Sequence, residues 1–259
     1  MHGLAKSALL PLLMRYLLLN KPYEVLTQFT DEHGRATLKN FVPVPDIYPV
    51  GRLDFDSEGL LLLTDDKALQ HRLSDPRFKV PKTYWAQVEG LVSNEALAKL
   101  RQGVQIKDGL TAPASAEVLS APADLWERST PIRFRASIPT SWLQITISQG
   151  MNRQVRKMCA AVGLPCLRLV RAAIADLRVA SLAPGQWREL TATEVQVLRQ
   201  VADSAEALTE TGRLHRPATP TPAGPKRGYA SRAGYGGNAT RPAPTKPGAK
   251  SRPGPTKAD

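Results

Sequence analysis

Apolar and polar positions along the chain change period several times, and each change predicts an element. Arg15–Leu19 is a short apolar run ended by "NKPY" (Asn20–Tyr23), the pattern of a buried strand. Ala36–Phe41 has room for one or two helical turns, and Ile47–Gly51 is extended. Leu60–Thr64 is continuously apolar between turn residues, as in a strand buried on both faces. Lys67–Leu73 predicts a short helix that Asp75-Pro76 ends. "KTYWAQVE" (Lys82–Glu89) alternates as a strand does, and Ser93 then N-caps a helix running to about Gln102 and stopping at Gly103. Val104–Pro139 shows only short strands and loops, whereas Trp142–Ser148 alternates cleanly as a strand. Across Asn152–Val162 the residues Val155, Met158, Cys159 and Val162 form a helical stripe, and Gly163 supplies the stop. Leu167–Val170 is a further strand and Thr193–Ala202 the last helix. Strands and helices mix without regular βαβ alternation, so the expected class is α+β rather than a doubly wound sheet.

Both ends depart from this patterning. In residues 1–13 the apolar run is broken by Pro11, with Arg15 close behind and no small-x-small cleavage site. That start is neither a signal peptide nor long enough to span a membrane, and residues 1–13 are expected to be a disordered extension or to precede the true start at Met14. Residues 14–210 are expected to form one folded domain. Residues 211–259 are rich in Pro, Gly and Lys/Arg, so a disordered basic tail is expected there. Of the net charge of +12, the stretch from Arg213 onward carries +9, ten Lys/Arg against Asp259, which leaves +3 for the rest. Such a balance favours a polyanion, nucleic acid before a membrane surface. Cys159 and Cys166, seven apart, make neither a disulfide framework nor a zinc site and fit a reducing, cytoplasmic compartment. No long heptad seam demands an assembly, so a monomer is expected.

Three stretches carry candidate chemistry. "GRLDFDSEGLLLLTDD" (Gly51–Asp66) places Asp54, Asp56, Glu58, Gly59 and Asp65 in the register of a calcium loop. Its last ligand position lacks the bidentate Glu, Leu62 occupies another ligand position, and the flanks are not helices. A turn of Asp, Ser and Gly with solvated acids fits the same residues. "QGMNRQVRKM" (Gln149–Met158) puts Arg153, Arg156 and Lys157 in the first turns of a helix, where free N–H groups and guanidinium groups attract anions. Arg156 lies beside the apolar stripe and can reach a partly buried cleft, whereas Arg153 and Lys157 lie opposite it, toward solvent or phosphate. A solvated basic face is the alternative. Tyr84, in "KTYW", is either a core aromatic or a stacking platform.

In this order the stretches resemble the Rsu/Rlu family of pseudouridine synthases. "GRLDFDSEGLLLLT" is similar to the family's G-R-L-D…S-x-G-L-L-L-L-T motif, "KTYWAQVEG" to its K-x-Y strand, "GMNRQVRKM" to its second arginine motif, and "NKP" to its opening strand and turn. The resemblance covers about Arg15 to Leu190 and is strongest to members that act on 23S rRNA. It implies a mixed, mostly antiparallel central sheet flanked by helices, with a catalytic cleft across the sheet and no S4-type domain. It implies isomerisation of a uridine near the peptidyl-transferase region, in 23S rRNA or a large-subunit precursor. Nothing is oxidised or added in that reaction, so no cofactor and no metal are expected. Asp54 matches the catalytic position, and either attacks C1′ or removes a proton from C2′. Tyr84 matches the tyrosine that stacks on the target base. Arg156 is the arginine expected to pair with Asp54 and hold it ionised. Arg52, Lys82, Arg153, Lys157 and Lys21 are expected to hold RNA or the flipped nucleotide. Asp56, Ser57, Glu58 and Gly59 read as turn chemistry, and Asp65 and Asp66 as capping groups. Met151, Phe55 and Ala175 depart from the family, standing where a basic residue, a polar residue and a glycine are common. The competing readings are a non-catalytic rRNA-binding or assembly protein of the same fold and a synthase acting on a different rRNA uridine.

Overall fold

The computed structural model describes residues 14–133, 135–179 and 182–214. The expected extension 1–13 and residues 215–259 of the expected tail lie outside them. The chain runs through β1 (Tyr16–Lys21), a 3-10 turn at Leu38–Asn40, β2 (Tyr48–Pro49), β3 (Glu58–Thr64) and α1 (Lys67–Ser74). It continues with β4 (Lys82–Glu89), α2 (Asn94–Gln102), the small hairpin of β5 (Gln105–Ile106) and β6 (Gly109–Leu110), β7 (Ser115–Leu119) and β8 (Thr140–Ile147). Then follow α3 (Gln154–Ala161), β9 (Cys166–Ile174), β10 (Leu177–Arg178), β11 (Trp187–Glu189) and α4 (Ala192–Leu214). One sheet has the order β11-β1-β3-β9-β4-β8-β7, with β2 beside β3 and β10 beside β9. Every described pairing in it is antiparallel except β3 with β9. The mixed, mostly antiparallel α+β class is therefore observed. Among the described residues no helix is long and apolar enough to cross a membrane.

Local chemistry accounts for several element ends. Asp66 accepts a hydrogen bond from the Leu69 amide and caps α1, and Ser93 does the same for α2 through Ala96. Asp65, expected to help with capping, accepts instead from the Arg15 amide at 2.8 Å and ties β1 to the end of β3. Other elements outrun their sequence pattern because tertiary partners complete them. β9 reaches Ile174 although Arg168 and Arg171 interrupt its apolar run, since β4 pairs along its length and both arginines find buried acceptors. α4 extends to Leu214, four residues into the stretch assigned to the tail.

Alternation on β3 sorts its leucines between layers. Leu60 and Leu62 pack with Leu18, Leu69, Leu73 and Leu198 beneath α1 and α4, whereas Leu61 and Leu63 pack with Leu17, Leu19, Leu38 and Ile47. All four leucines are fully buried, each contributing about 2 kcal/mol. A third cluster joins β4 and β8 to α2 and α3 through Ala86, Val88, Leu97, Leu143 and Met158. Among the described residues the two halves of the sheet pair where Glu58 lies beside Val170 and Gly59 beside Arg171. A Cβ on Gly59 would stand 2.5 Å from the Arg171 carbonyl oxygen, and its φ of +101° also favours glycine. Gly59 lets β3 and β9 touch, and it brings the loop ahead of β3 over the junction.

Candidate active site

That loop, residues 51–57, carries Asp54, and its backbone is held at five consecutive carbonyls. Arg171 Nη1 donates to the Arg52 oxygen at 3.5 Å, and Thr27 Oγ1 to the Leu53 oxygen at 2.6 Å. The Ser57 amide donates to Asp54 at 3.1 Å and the Glu24 amide to Phe55 at 2.9 Å. Arg156 Nη2 donates to the Asp56 oxygen at 2.6 Å. The Asp54 carboxylate itself stays 31% exposed and is open to a ligand.

The arginine beside Asp54 is Arg153, not Arg156. Arg153 Nη1 lies 3.7 Å from Asp54 Oδ2, and the same guanidinium grips Asp56 with two hydrogen bonds of 2.7 Å. Arg153 can do this because it is the N-cap of α3 in a left-handed conformation, φ +49°, which turns its side chain back over the loop. Such a backbone costs about 1–2 kcal/mol for a residue with a Cβ, and the fork onto Asp56 offsets it. The helical wheel placed Arg153 opposite the apolar stripe by assuming helical angles at a residue that does not have them. Arg156, expected to pair with Asp54, is half-buried under the loop, where it also donates to the Cys166 carbonyl at 3.2 Å. Its Nε lies 3.5 Å from the Asp56 carboxylate. Asp56 is therefore more than a turn residue. Burial pushes its carboxyl up, but the Arg153 hydrogen bonds and the charges of Arg156 and Arg153 outweigh this and hold it below the ordinary range.

A row of paired residues crosses the sheet beneath the loop: Lys21 on β1, Gly59 on β3, Arg171 on β9 and Tyr84 on β4. Residues in one row share a face, so Lys21, Arg171 and Tyr84 project together where Gly59 leaves room. Tyr84 is half-buried against the α2–α3 cluster. Arg171 is buried and donates from Nε to the Leu60 carbonyl at 2.7 Å, while its Nη2 has no hydrogen-bond partner among the described residues. Lys82, two residues before Tyr84, is half-buried, and burial lowers its ammonium to about 8 with help from the Arg171 charge. Lys21 corrects the expectation of an RNA contact. It is wholly buried and its ammonium donates at 2.8 Å to both the Pro22 and Val25 carbonyls, so it braces the turn after β1 and offers nothing to a phosphate. Lys157 is also engaged within the protein, by Asp108 and by Asn152 at 3.2 Å. Arg52 is exposed beside Asp54 and makes no side-chain hydrogen bond or ion pair with a described residue.

Glu58, read as turn chemistry, lies buried in β3. Arg168 grips it with two bonds of 2.9 Å, and Trp126 Nε1 donates to it at 2.8 Å. Removing one partner of such a pair leaves a buried charge and costs about 3–5 kcal/mol. Asp54 and Asp56 thus share Arg153 while Glu58 turns to Arg168 and Asp65 to the Arg15 amide, and among the described residues no group of three or more His, Cys, Asp or Glu is placed to hold a metal. Sequence reasoning missed Arg171, Arg168, Thr27 and the true partner of Asp54. Arginines inside the apolar run "CLRLVRAAI" were a legible signal, because a buried charge needs an acceptor. Thr27 left no such mark.

With this geometry in view, comparison with known proteins is informative. The profile of the family described as RNA pseudouridylate synthase matches residues 15–161. The chain is 54% identical over 176 residues to "Ribosomal large subunit pseudouridine synthase E" of Vibrio parahaemolyticus, covering 68% of this chain and 74% of that protein. It is 57% identical over 169 residues to the protein of the same description from Xanthomonas axonopodis pv. citri, covering 64% and 89%. Among solved structures it is similar to one described as a pseudouridylate synthase, with a TM-score of 0.61 and 30% identity over 71% of this chain and 74% of the other. A carboxylate on a braced loop, a tyrosine on the strand beside the junction, and matches of this extent identify the chain as a member of the RNA pseudouridylate synthase family, an isomerase acting on RNA.

Proposed function

We propose that this chain converts one uridine of large-subunit (23S) ribosomal RNA, near the peptidyl-transferase region, to pseudouridine, with Asp54 as the catalytic carboxylate. It does so as a monomer in the cytoplasm, on free rRNA or a large-subunit precursor. The observation that carries the reading is Asp54 itself: half-exposed, on a loop braced at every carbonyl from Arg52 to Asp56, and 3.7 Å from Arg153. The relatives described as large-subunit synthases support the choice of RNA.

In the reaction the N1–C1′ bond breaks, the uracil turns, C5 bonds to C1′, and the proton lost from C5 is balanced by one gained at N1. No electron or group enters, and no cofactor is needed. Asp54, beside the Arg153 guanidinium, acts either on C1′ as nucleophile or on the C2′ proton as base. Tyr84 offers its ring to the flipped base, and Arg52 and Lys82 offer charge to the nucleotide and its phosphates. Arg156 holds the loop from below.

The test is pseudouridine mapping of large-subunit RNA from cells whose only copy of the protein is Asp54→Asn. The modification is expected to vanish while the purified variant binds the RNA as tightly as the native protein. Persistence of the modification would remove Asp54 from the chemistry. Normal ribosome assembly supported by the variant, with no pseudouridine lost on deleting the protein, would instead favour a non-catalytic assembly role.

A further inference from the structure

Thr27 holds both polar main-chain groups of the residue before Asp54. Its hydroxyl donates to the Leu53 carbonyl at 2.6 Å and accepts from the Leu53 amide at 3.2 Å, and both residues are buried. One oxygen therefore closes a two-way clamp that only a hydroxyl can make, since it must donate and accept at once. The clamp stands on fixed ground. Leu26 donates to the Ala36 carbonyl at 2.9 Å and Leu38 to the Gln28 carbonyl at 2.9 Å, so residues 26–28 are laced to 36–38 on either side of Thr27. Upstream, the Lys21 ammonium ties down Pro22 and Val25, and the Glu24 amide holds Phe55. The stretch 21–28 thus forms a splint along the Asp54 loop, with Glu24 and Thr27 holding the residues on either side of Asp54. The other braces on the loop each engage one carbonyl; Thr27 fixes an amide as well, so it holds the Leu53–Asp54 peptide through the Leu53 carbonyl and the Arg52–Leu53 peptide through the Leu53 N–H.

We propose that Thr27 is a positioning residue for the isomerisation: it sets the place of the Asp54 carboxylate without touching the substrate. Displacing a reacting group by about 1 Å can cost on the order of a hundredfold in rate. The inference rests on Asp54 being the catalytic carboxylate, and Asp54→Asn is assayed alongside so that the two ideas fail separately.

The experiment compares native protein, Thr27→Ser, Thr27→Val and Thr27→Ala in single-turnover pseudouridine formation at saturating RNA, together with RNA affinity. Thr27→Ser is expected to stay within about twofold of native. Thr27→Val and Thr27→Ala are expected to lose about ten- to a hundredfold in the saturated rate with RNA affinity unchanged. A purely structural role would lower the fraction of active protein in proportion to unfolding and leave the rate of the folded fraction intact. Should the valine variant not fold, the alanine variant carries the comparison. Hydrogen exchange at the Leu53 amide provides a readout that needs no substrate, and it should quicken at least tenfold in Thr27→Ala but not in Thr27→Ser. Full saturated rates in folded Thr27→Ala, with Asp54→Asn inactive, would overturn the role of Thr27. Unchanged Leu53 exchange would do the same. Activity surviving in Asp54→Asn would overturn the Asp54 assignment on which it rests.

Discussion

Lys21 shows what a single buried charge does to this protein. Burial pushes its ammonium down to about 7 from an ordinary 10.5, while Glu58, Asp56 and Asp54 pull it up and Arg171 pushes it further down. The unfolded chain therefore holds more protons than the folded one between those two values. Stability contributed by Lys21 rises through that window and is lost as pH falls through about 7. The slope from this one group is at most about 1.4 kcal/mol per pH unit. Lys21→Met is expected to flatten the curve of unfolding free energy against pH over that range, as measured by urea denaturation; equal slopes in both proteins would show that Lys21 is charged in the fold. Arg171 and Arg153 make the same point about position. Their side chains do what their neighbours in space require, and spacing along the chain did not reveal those neighbours.

At the scale of elements, the turn from β9 to β10 carries a visible misfit. Ile174 pairs with Leu177, so Ala175 and Asp176 form a two-residue loop, and Ala175 sits at φ +49°. Glycine is favoured at such a hairpin position, and glycine is the residue the family resemblance led one to expect there. The left-handed backbone costs an alanine about 1 kcal/mol, partly offset by the methyl group packed against the α1–α4 side of the sheet. Ala175→Gly is expected to stabilise the protein by about 0.5–1 kcal/mol, seen as a higher midpoint in thermal or denaturant melts, with the Ala175 amide still donating to the Pro81 carbonyl at 2.9 Å. A lower midpoint would mean that the methyl contact outweighs the backbone strain. Element existence was legible wherever a pattern persisted: β4 and α2 match their predicted bounds, and β8 and α3 differ by a residue or two at their ends. It was least legible in β9, where Arg168 and Arg171 broke a pattern that paired strands restored.

Over the whole molecule, charge is divided unevenly. Residues 215–259 carry nine Lys/Arg against Asp259, or +8 of the net +12. Deleting them is expected to weaken RNA binding at low salt and make its salt dependence shallower, because fewer phosphate contacts release fewer counterions. The uridine modified should not change, and modification of a different uridine by the truncated protein would assign target choice to that segment. By itself the sequence determined the α+β class, the strands and helices with persistent periodicity, and the family, because local propensity and a long contiguous motif both reside in consecutive residues. It also singled out Asp54, since a motif numbers its own members. Only the tertiary structure decided which arginine stands beside Asp54, that Lys21 faces inward, that Glu58 is a buried ion-pair partner, and that Thr27 clamps the loop. Those facts depend on the touching of β3 with β9 at Gly59 and on one left-handed residue at the start of α3, and neither is written in the spacing of residues along the chain.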